Sequence, residues 1–160
     1  MTGSPAAIYL DTNAFVALVE GEGDVRERAF RLFEVLRENP ELGVTSELTL
    51  AEVLAPPKSV AKLNLEEKRG PYLDLILGGG FVRLIPVERG TLMQTADLRA
   101  EPSFRSMKLA DAIHLVTAIR TSCRVFVSGD RDFKAMPRGL RRINYLDATM
   151  DHDVIGLLGE

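Results

Sequence analysis

The chain has 160 residues, the length of one domain and enough to bury a core without metal or disulfide staples. Its 20 Lys and Arg against 23 Asp and Glu leave a net charge of -3, which excludes a polybasic binder but not a nuclease, because phosphate contacts need only a local basic patch. A single cysteine, Cys123, excludes an internal disulfide and a thiolate metal cluster.

The start, MTGSPAAIYLDTNAF, lacks a basic region before its apolar run and meets an aspartate at position 11, so it reads as a first strand, 6–10, rather than a signal peptide. No uncharged apolar stretch is long enough to span a membrane, and a cytoplasmic location is the expectation. A helix follows over AFVALVE. Asp24 is placed to cap a second helix up to Pro40, with Val25, Ala29, Leu32, Phe33 and Leu36 on one face and Arg26, Arg28, Arg31 and Arg37 facing out. Residues 42–45 read as a second strand. Thr45 or Ser46 can cap ELTLAEVLA, which Pro56-Pro57 stops. A long amphipathic helix over 59–77, interrupted or bent near Gly70-Pro71, leads to Gly78-Gly79-Gly80 and a third strand, 81–85. A helix over 88–98 comes next. Ser106 is placed to cap the helix MKLADAIHLVTAIRT. RVFV (124–127) is a fourth strand, and 143–146 could add a fifth. Short apolar strands alternating with longer helices predict a three-layer α/β/α sandwich around a mostly parallel sheet of four or five strands, spanning 1–160 as one domain. Ligands of such sheets sit beyond the C-terminal strand ends.

Acidic residues gather at that edge. Asp11 follows the first strand. Asp130 follows the fourth, with Asp132 two positions on. Glu52 and Asp111 interrupt helices that are otherwise mostly apolar. A carboxylate in such a helix is costly unless neutralised, and several together repel one another. A hard divalent cation removes both costs, and oxygen-only ligation of Mg²⁺ or Mn²⁺ suits phosphodiester hydrolysis. Each residue also has a plainer reading. Asp11 could cap the next helix, Glu52 could be solvated, Asp111 could pair with Lys108, and Asp130 and Asp132 could be turn residues.

The segments IYLDTNAFVALV, TSELTLAEVL, KLADAIHLVTAI and VFVSGDRDF, in this order and spacing, resemble the PIN-domain family, and within it the VapC-like toxins of toxin–antitoxin pairs. The resemblance covers nearly the whole chain. It implies a PIN-like fold, with Asp11, Glu52, Asp111 and Asp130 as catalytic metal ligands for Mg²⁺ or Mn²⁺. It gives Asn13, Ser128 and Asp132 supporting roles, Asn13 as an orienter of Asp11 or of a metal-bound water. It further implies hydrolysis of RNA phosphodiester bonds by metal-activated water, a small antitoxin partner and a homodimer, for which the helices near 25–77 are candidate surfaces. The Pro56-Pro57 pair departs from many relatives, which continue there with small or basic residues.

Arg105, Lys108, Arg131, Lys134, Arg138, Arg141 and Arg142 flank the acids. They read either as a solvated rim or as a phosphate-contacting edge, with Lys108, Arg131 and Lys134 as the candidate contacts. With no Trp and three Tyr, base stacking has little support. His114, three residues after Asp111 on the same helix side, reads as a packing residue, with a proton shuttle as the alternative. His152, in DHD, reads as a surface turn and Cys123 as core filling. A DNA-directed or repair-type metal nuclease would use the same acids. A non-catalytic PIN-like scaffold would not need to keep all four. A haloacid-type phosphatase wants an aspartate where Asn13 stands, and a dinucleotide-binding protein wants a glycine fingerprint after the first strand.

Overall fold

The computed structural model describes residues 7–56, 64–147 and 150–158. Five parallel strands form one sheet: β1 (Ile8–Leu10), β2 (Gly43–Ser46), β3 (Val82–Ile85), β4 (Val125–Val127) and β5 (Arg141–Ile143), in the spatial order β3-β2-β1-β4-β5. Around it lie α1 (Thr12–Glu20), α2 (Gly23–Glu38), α3 (Leu48–Val53), α4 (Leu65–Leu73), α5 (Arg89–Ala100), α6 (Leu109–Arg120) and α7 (Met150–Leu158). The sandwich has three layers, as expected, and every strand pairing is parallel.

Strand alternation assigns the two cores. Ile8 and Leu10 of β1, with Val125 and Val127 of β4, face a core that includes Phe15, Leu32, Phe33, Leu36 and Tyr72. Tyr9 and Phe126 face the other way, into a core with Leu115, Val116, Phe133 and Cys123. Both faces of the central strands are covered, which is why β1 and β4 are apolar and buried throughout, whereas the edge strands β3 and β5 carry exposed Arg83 and Arg141. Cys123 is core filling, as its sequence surroundings suggest.

Chain direction reverses around β1. From β1 the chain steps to β2 and β3 on one side, then crosses to β4 and β5 on the other. The crevice between the C-terminal ends of β1 and β4 is therefore the sheet's switch point, where ligands of open α/β sheets bind.

Several local expectations shift. Glu22, not Asp24, is the cap residue of α2, and Asp24 sits in its first turn. Arg28 does not face out freely but donates to the Leu146 carbonyl. Ser46 accepts from the Leu48 amide at 3.1 Å and so does part of a cap's work for α3. Lys108, not Ser106, precedes α6. The start of the expected 59–77 helix, 59–63, lies outside the described residues, as does Pro57. The rest runs through Pro71 without a break and ends in a π-helical turn, Asp74–Gly78. Buried Tyr72 and Ile76 hold that segment on the core, and Tyr72 donates its hydroxyl to Glu20 of α1. The last strand is Arg141–Ile143 rather than 143–146, and His152 is an exposed residue of α7 rather than of a turn. Among the described residues, no helix is long and apolar enough to cross a membrane.

Candidate active site

Asp11 leaves the end of β1 and is both things its sequence position allowed. As the residue capping α1, it accepts from the Thr12 amide through Oδ1 at 2.8 Å. It is also buried at the switch point, only 4% exposed, where its Oδ2 accepts from the Ser128 hydroxyl at 2.8 Å. Ser128, fully buried just after β4, accepts in turn from the Asp130 amide at 3.0 Å. One hydroxyl thus links the two central strand ends. Asn13 is half-buried beside Asp11, and its carbonyl accepts from the Tyr145 hydroxyl at 3.4 Å. A side chain at Gly129 would strike the Tyr145 ring, its Cβ coming within 2.7 Å, so a glycine keeps this corner closed.

Asp130 turns its Oδ1 to the Asp132 amide, 2.9 Å, a local turn bond of the kind its GDRD setting suggested. Arg142 does not stand on a phosphate-contacting rim. Its guanidinium points inward and ties the Asp130 and Phe133 carbonyls, at 2.5 and 3.1 Å, bracing the loop after β4. Arg141 pairs with Asp153 at 3.5 Å. Lys108 pairs with Asp132 at 2.9 Å, both well exposed.

Glu52 rises from α3 into a network that sequence reasoning missed. Its Oε2 takes the Thr12 hydroxyl and stands 2.7 Å from His114 Nε2. The same nitrogen is 3.3 Å from Thr12 Oγ1 and 4.0 Å from Asp11 Oδ1. On the other side of the ring, Nδ1 meets the Tyr9 hydroxyl at 2.6 Å, and the Ser46 amide donates to that hydroxyl at 3.1 Å. His114 is buried as expected, but it is bonded into the site rather than packed beside it. The three-residue spacing from Asp111 was the available signal for it. Tyr9 had none, since a hydroxyl inside a short apolar strand looks like core.

The electrostatics follow from crowding. Burial raises the Asp11 carboxyl, while His114, Ser128 and Thr12 oppose that and Glu52 adds to it. Burial, then the charges of Asp11 and Asp130, push Asp111 up to about 6. Burial acts to raise Glu52 too, but the His114 and Thr12 contacts outweigh it and hold that carboxyl below its ordinary value. The hydrogen bond from Lys108 lowers exposed Asp132. Two of the four acids expected at the site sense another's charge: Asp11 that of Glu52, and Asp111 those of Asp11 and Asp130.

Asp111 also opens onto a pocket of about 250 Å³, lined by Ser103, Ser106, Met107, Lys108, Asp132, Lys134 and Ala135. Two of the three cations expected to contact phosphate, Lys108 and Lys134, line it; Arg131 is exposed but is not part of its wall. The donor set of Asp11, Glu52, Asp111 and Asp130 is all carboxylate oxygen, which suits Mg²⁺ or Mn²⁺. These oxygens are not gathered into a ready cage: among the described residues, no group of three or more His, Cys, Asp or Glu is placed to hold a metal ion. Glu52 is held instead by Thr12 and His114.

The family model described as PIN domain matches residues 8–139. Three solved structures share the fold. A VapBC2 complex from Rickettsia felis bound to a DNA fragment from its promoter is 21% identical, with a TM-score of 0.63 over 86% of this chain and 98% of that one. A DNA-bound VapBC from Salmonella typhimurium is 19% identical, with a TM-score of 0.62 over 88% and 98%. FitAB bound to the IR36 DNA fragment is 20% identical, with a TM-score of 0.62 over 88% and 96%. A search of curated protein sequences finds no match.

Proposed function

The chain belongs to the PIN-domain family, and we propose that it is a metal-dependent endoribonuclease, the toxin of a type II toxin–antitoxin pair, acting as one domain over 1–160. The observation that carries this proposal is the junction of Asp11 and Asp130 through Ser128 at the switch point, with Asp111 sensing the charge of both. The catalytic residues are Asp11, Glu52, Asp111 and Asp130, and Asn13, Ser128 and Asp132 support them. A Mg²⁺ or Mn²⁺ ion held by the four carboxylates supplies neutralisation of their charge and acidifies nearby water.

The side chains do the rest. A carboxylate of the site, Asp111 or Glu52, takes the proton of the attacking water. The water oxygen bonds to phosphorus as the bond to the 3′ oxygen breaks, and the departing 3′ oxygen takes a proton from solvent, so that a 5′ phosphate and a 3′ hydroxyl result. Ser128 and Thr12 keep Asp11 oriented while this happens. Lys108 and Lys134, on the wall of the adjoining pocket, draw in the flanking phosphates, with Arg131 beyond them.

Partners are proposed on the same footing. Likeness to VapBC and FitAB complexes supports an antitoxin partner; its small size and a homodimer are proposed from the sequence resemblance, and a cytoplasmic location from the sequence's lack of an export signal. The deciding experiment incubates purified, partner-free protein with RNAs and matching DNAs in Mg²⁺, Mn²⁺ or EDTA, beside Asp11→Asn. Metal-dependent cuts in RNA, lost in the variant, are the expected result. Cutting of DNA alone would move the assignment to a DNA-directed nuclease. Cation binding with no cutting at all would favour a PIN-like binder.

A further inference from the structure

We infer that His114 is the positioning residue of this site: it donates from Nε2 to Glu52 and so presents that glutamate's other oxygen to the cation. The inference rests on the metal-dependent reading above but on different atoms. Direction follows from hydrogen-bond accounting. The Ser46 amide can only donate, and it points at the Tyr9 oxygen from 3.1 Å. Tyr9 is fully buried, so its own hydrogen needs an acceptor, and His114 Nδ1 at 2.6 Å is the acceptor in place. Nδ1 is therefore bare and Nε2 carries the hydrogen. That nitrogen faces Glu52 Oε2 at 2.7 Å, a donor against a carboxylate. A hydrogen on Nδ1 instead would set two donors against each other unless the Tyr9 hydroxyl turned to Thr45, its other side-chain contact, and it would leave a bare Nε2 facing the Glu52 carboxylate at 2.7 Å.

The consequence is geometric. Thr12 and His114 both engage Oε2 of Glu52, and neither engages Oε1. Glu52 sits on a helix of six residues and its side chain is 31% exposed, so its own element does little to fix it. His114 is anchored in the second core by α6 and is 1% exposed. It is also 4.0 Å from Asp11, so one rigid ring sets Glu52 against the first-strand aspartate. A histidine bonded to a ligating carboxylate in this way tunes affinity without touching the ion.

The test uses the full chain and compares His114→Phe, which keeps a ring and loses the donor, with His114→Gln, whose amide nitrogen can stand near Nε2. Mn²⁺ binding is read by titration, folding by thermal unfolding, and the wild-type tautomer by long-range ¹H–¹⁵N correlation, which is uncrowded because the chain has two histidines. Expected are a hydrogen on Nε2 in the metal-free protein, a loss of about 10–100-fold in Mn²⁺ affinity in His114→Phe, and recovery of most of it in His114→Gln. In a Glu52→Gln background, His114→Phe is expected to cost nothing further. A hydrogen on Nδ1, or a folded His114→Phe that binds Mn²⁺ and cuts RNA like wild type, would overturn the inference and leave the nuclease assignment intact. His114-dependent Mn²⁺ binding without RNA cleavage would overturn the nuclease assignment and leave the inference intact. A wild-type protein that binds no Mn²⁺ overturns both.

Discussion

The Ser128 hydroxyl donates to Asp11 Oδ2 across 2.8 Å and accepts the Asp130 amide at 3.0 Å, so one buried side chain joins the C-terminal ends of β1 and β4. Removing it strands a buried carboxylate oxygen and a backbone amide. Ser128→Ala is expected to cost about 1–3 kcal/mol in chemical denaturation and to weaken Mn²⁺ binding. Ser128→Thr retains a hydroxyl and is expected to recover the binding. Equal Mn²⁺ affinity in wild type and Ser128→Ala would remove Ser128 from the supporting set.

Asp11→Asn is expected to abolish cleavage while the fold persists. Burial disfavours the ionised Asp11 carboxyl, so without metal the neutral amide is expected to raise the unfolding temperature. With saturating Mn²⁺ the order is expected to reverse, because only the wild type gains full binding energy. Unfolding scans of both proteins with EDTA and with Mn²⁺ check this, and a cleaving Asp11→Asn would remove Asp11 from the catalytic set.

Asp111 sets a pH window. Its folded value of about 6 lies above its ordinary 3.8, so the folded state holds the proton more tightly than the unfolded one. Its stabilising contribution is full below 3.8 and is lost as pH rises through about 6. Metal-free wild type is therefore expected to gain stability relative to Asp111→Asn between pH 7 and pH 4.5. Glu52 has the opposite sign. Its carboxyl lies below the ordinary 4.5, so its contribution is present above that value and is lost as pH falls through the lower folded one. Denaturation midpoints in EDTA across pH 3–7 test both. A pH-independent difference between wild type and Asp111→Asn would contradict the first.

Tyr9→Phe removes the hydroxyl between the Ser46 amide and His114 Nδ1. Both partners are left unpaired in the core, at an expected cost of about 1–3 kcal/mol. The His114–Glu52 bond is expected to survive, because the carboxylate itself favours a hydrogen on Nε2. Denaturation, with the ¹H–¹⁵N correlation as a second reading, separates the two effects.

Ser122 adopts φ 56° in the turn between α6 and β4, a left-handed conformation that suits glycine. Ser122→Gly is expected to stabilise the protein by up to about 1 kcal/mol with cleavage unaltered, since the turn lies at the opposite end of β4 from Ser128. A loss of stability would show that unfolded-chain entropy outweighs the relieved strain.

Much of the fold was legible in the sequence because it rests on local rules. Apolar strands of three or four residues, helical spacing at Ala29, Leu32, Phe33 and Leu36, and turn residues between them were enough for a parallel sandwich with acids at one edge. Boundaries shifted where a tertiary contact outweighed a local signal, as at Pro71, where buried Tyr72 holds the helix together. The sequence by itself determined which carboxylates lie beyond the strand ends, because each motif carries its own acid. Only the tertiary structure decided who holds them. Tyr9 and His114 are 105 residues apart, and His114 and Glu52 62 apart. Arg142 read as part of a basic rim, solvated or phosphate-contacting, but its guanidinium turns inward to the Asp130 carbonyl in the loop after β4. Such pairings exist only once the sheet closes, because hydrogen bonds between distant side chains leave no periodic trace along the chain.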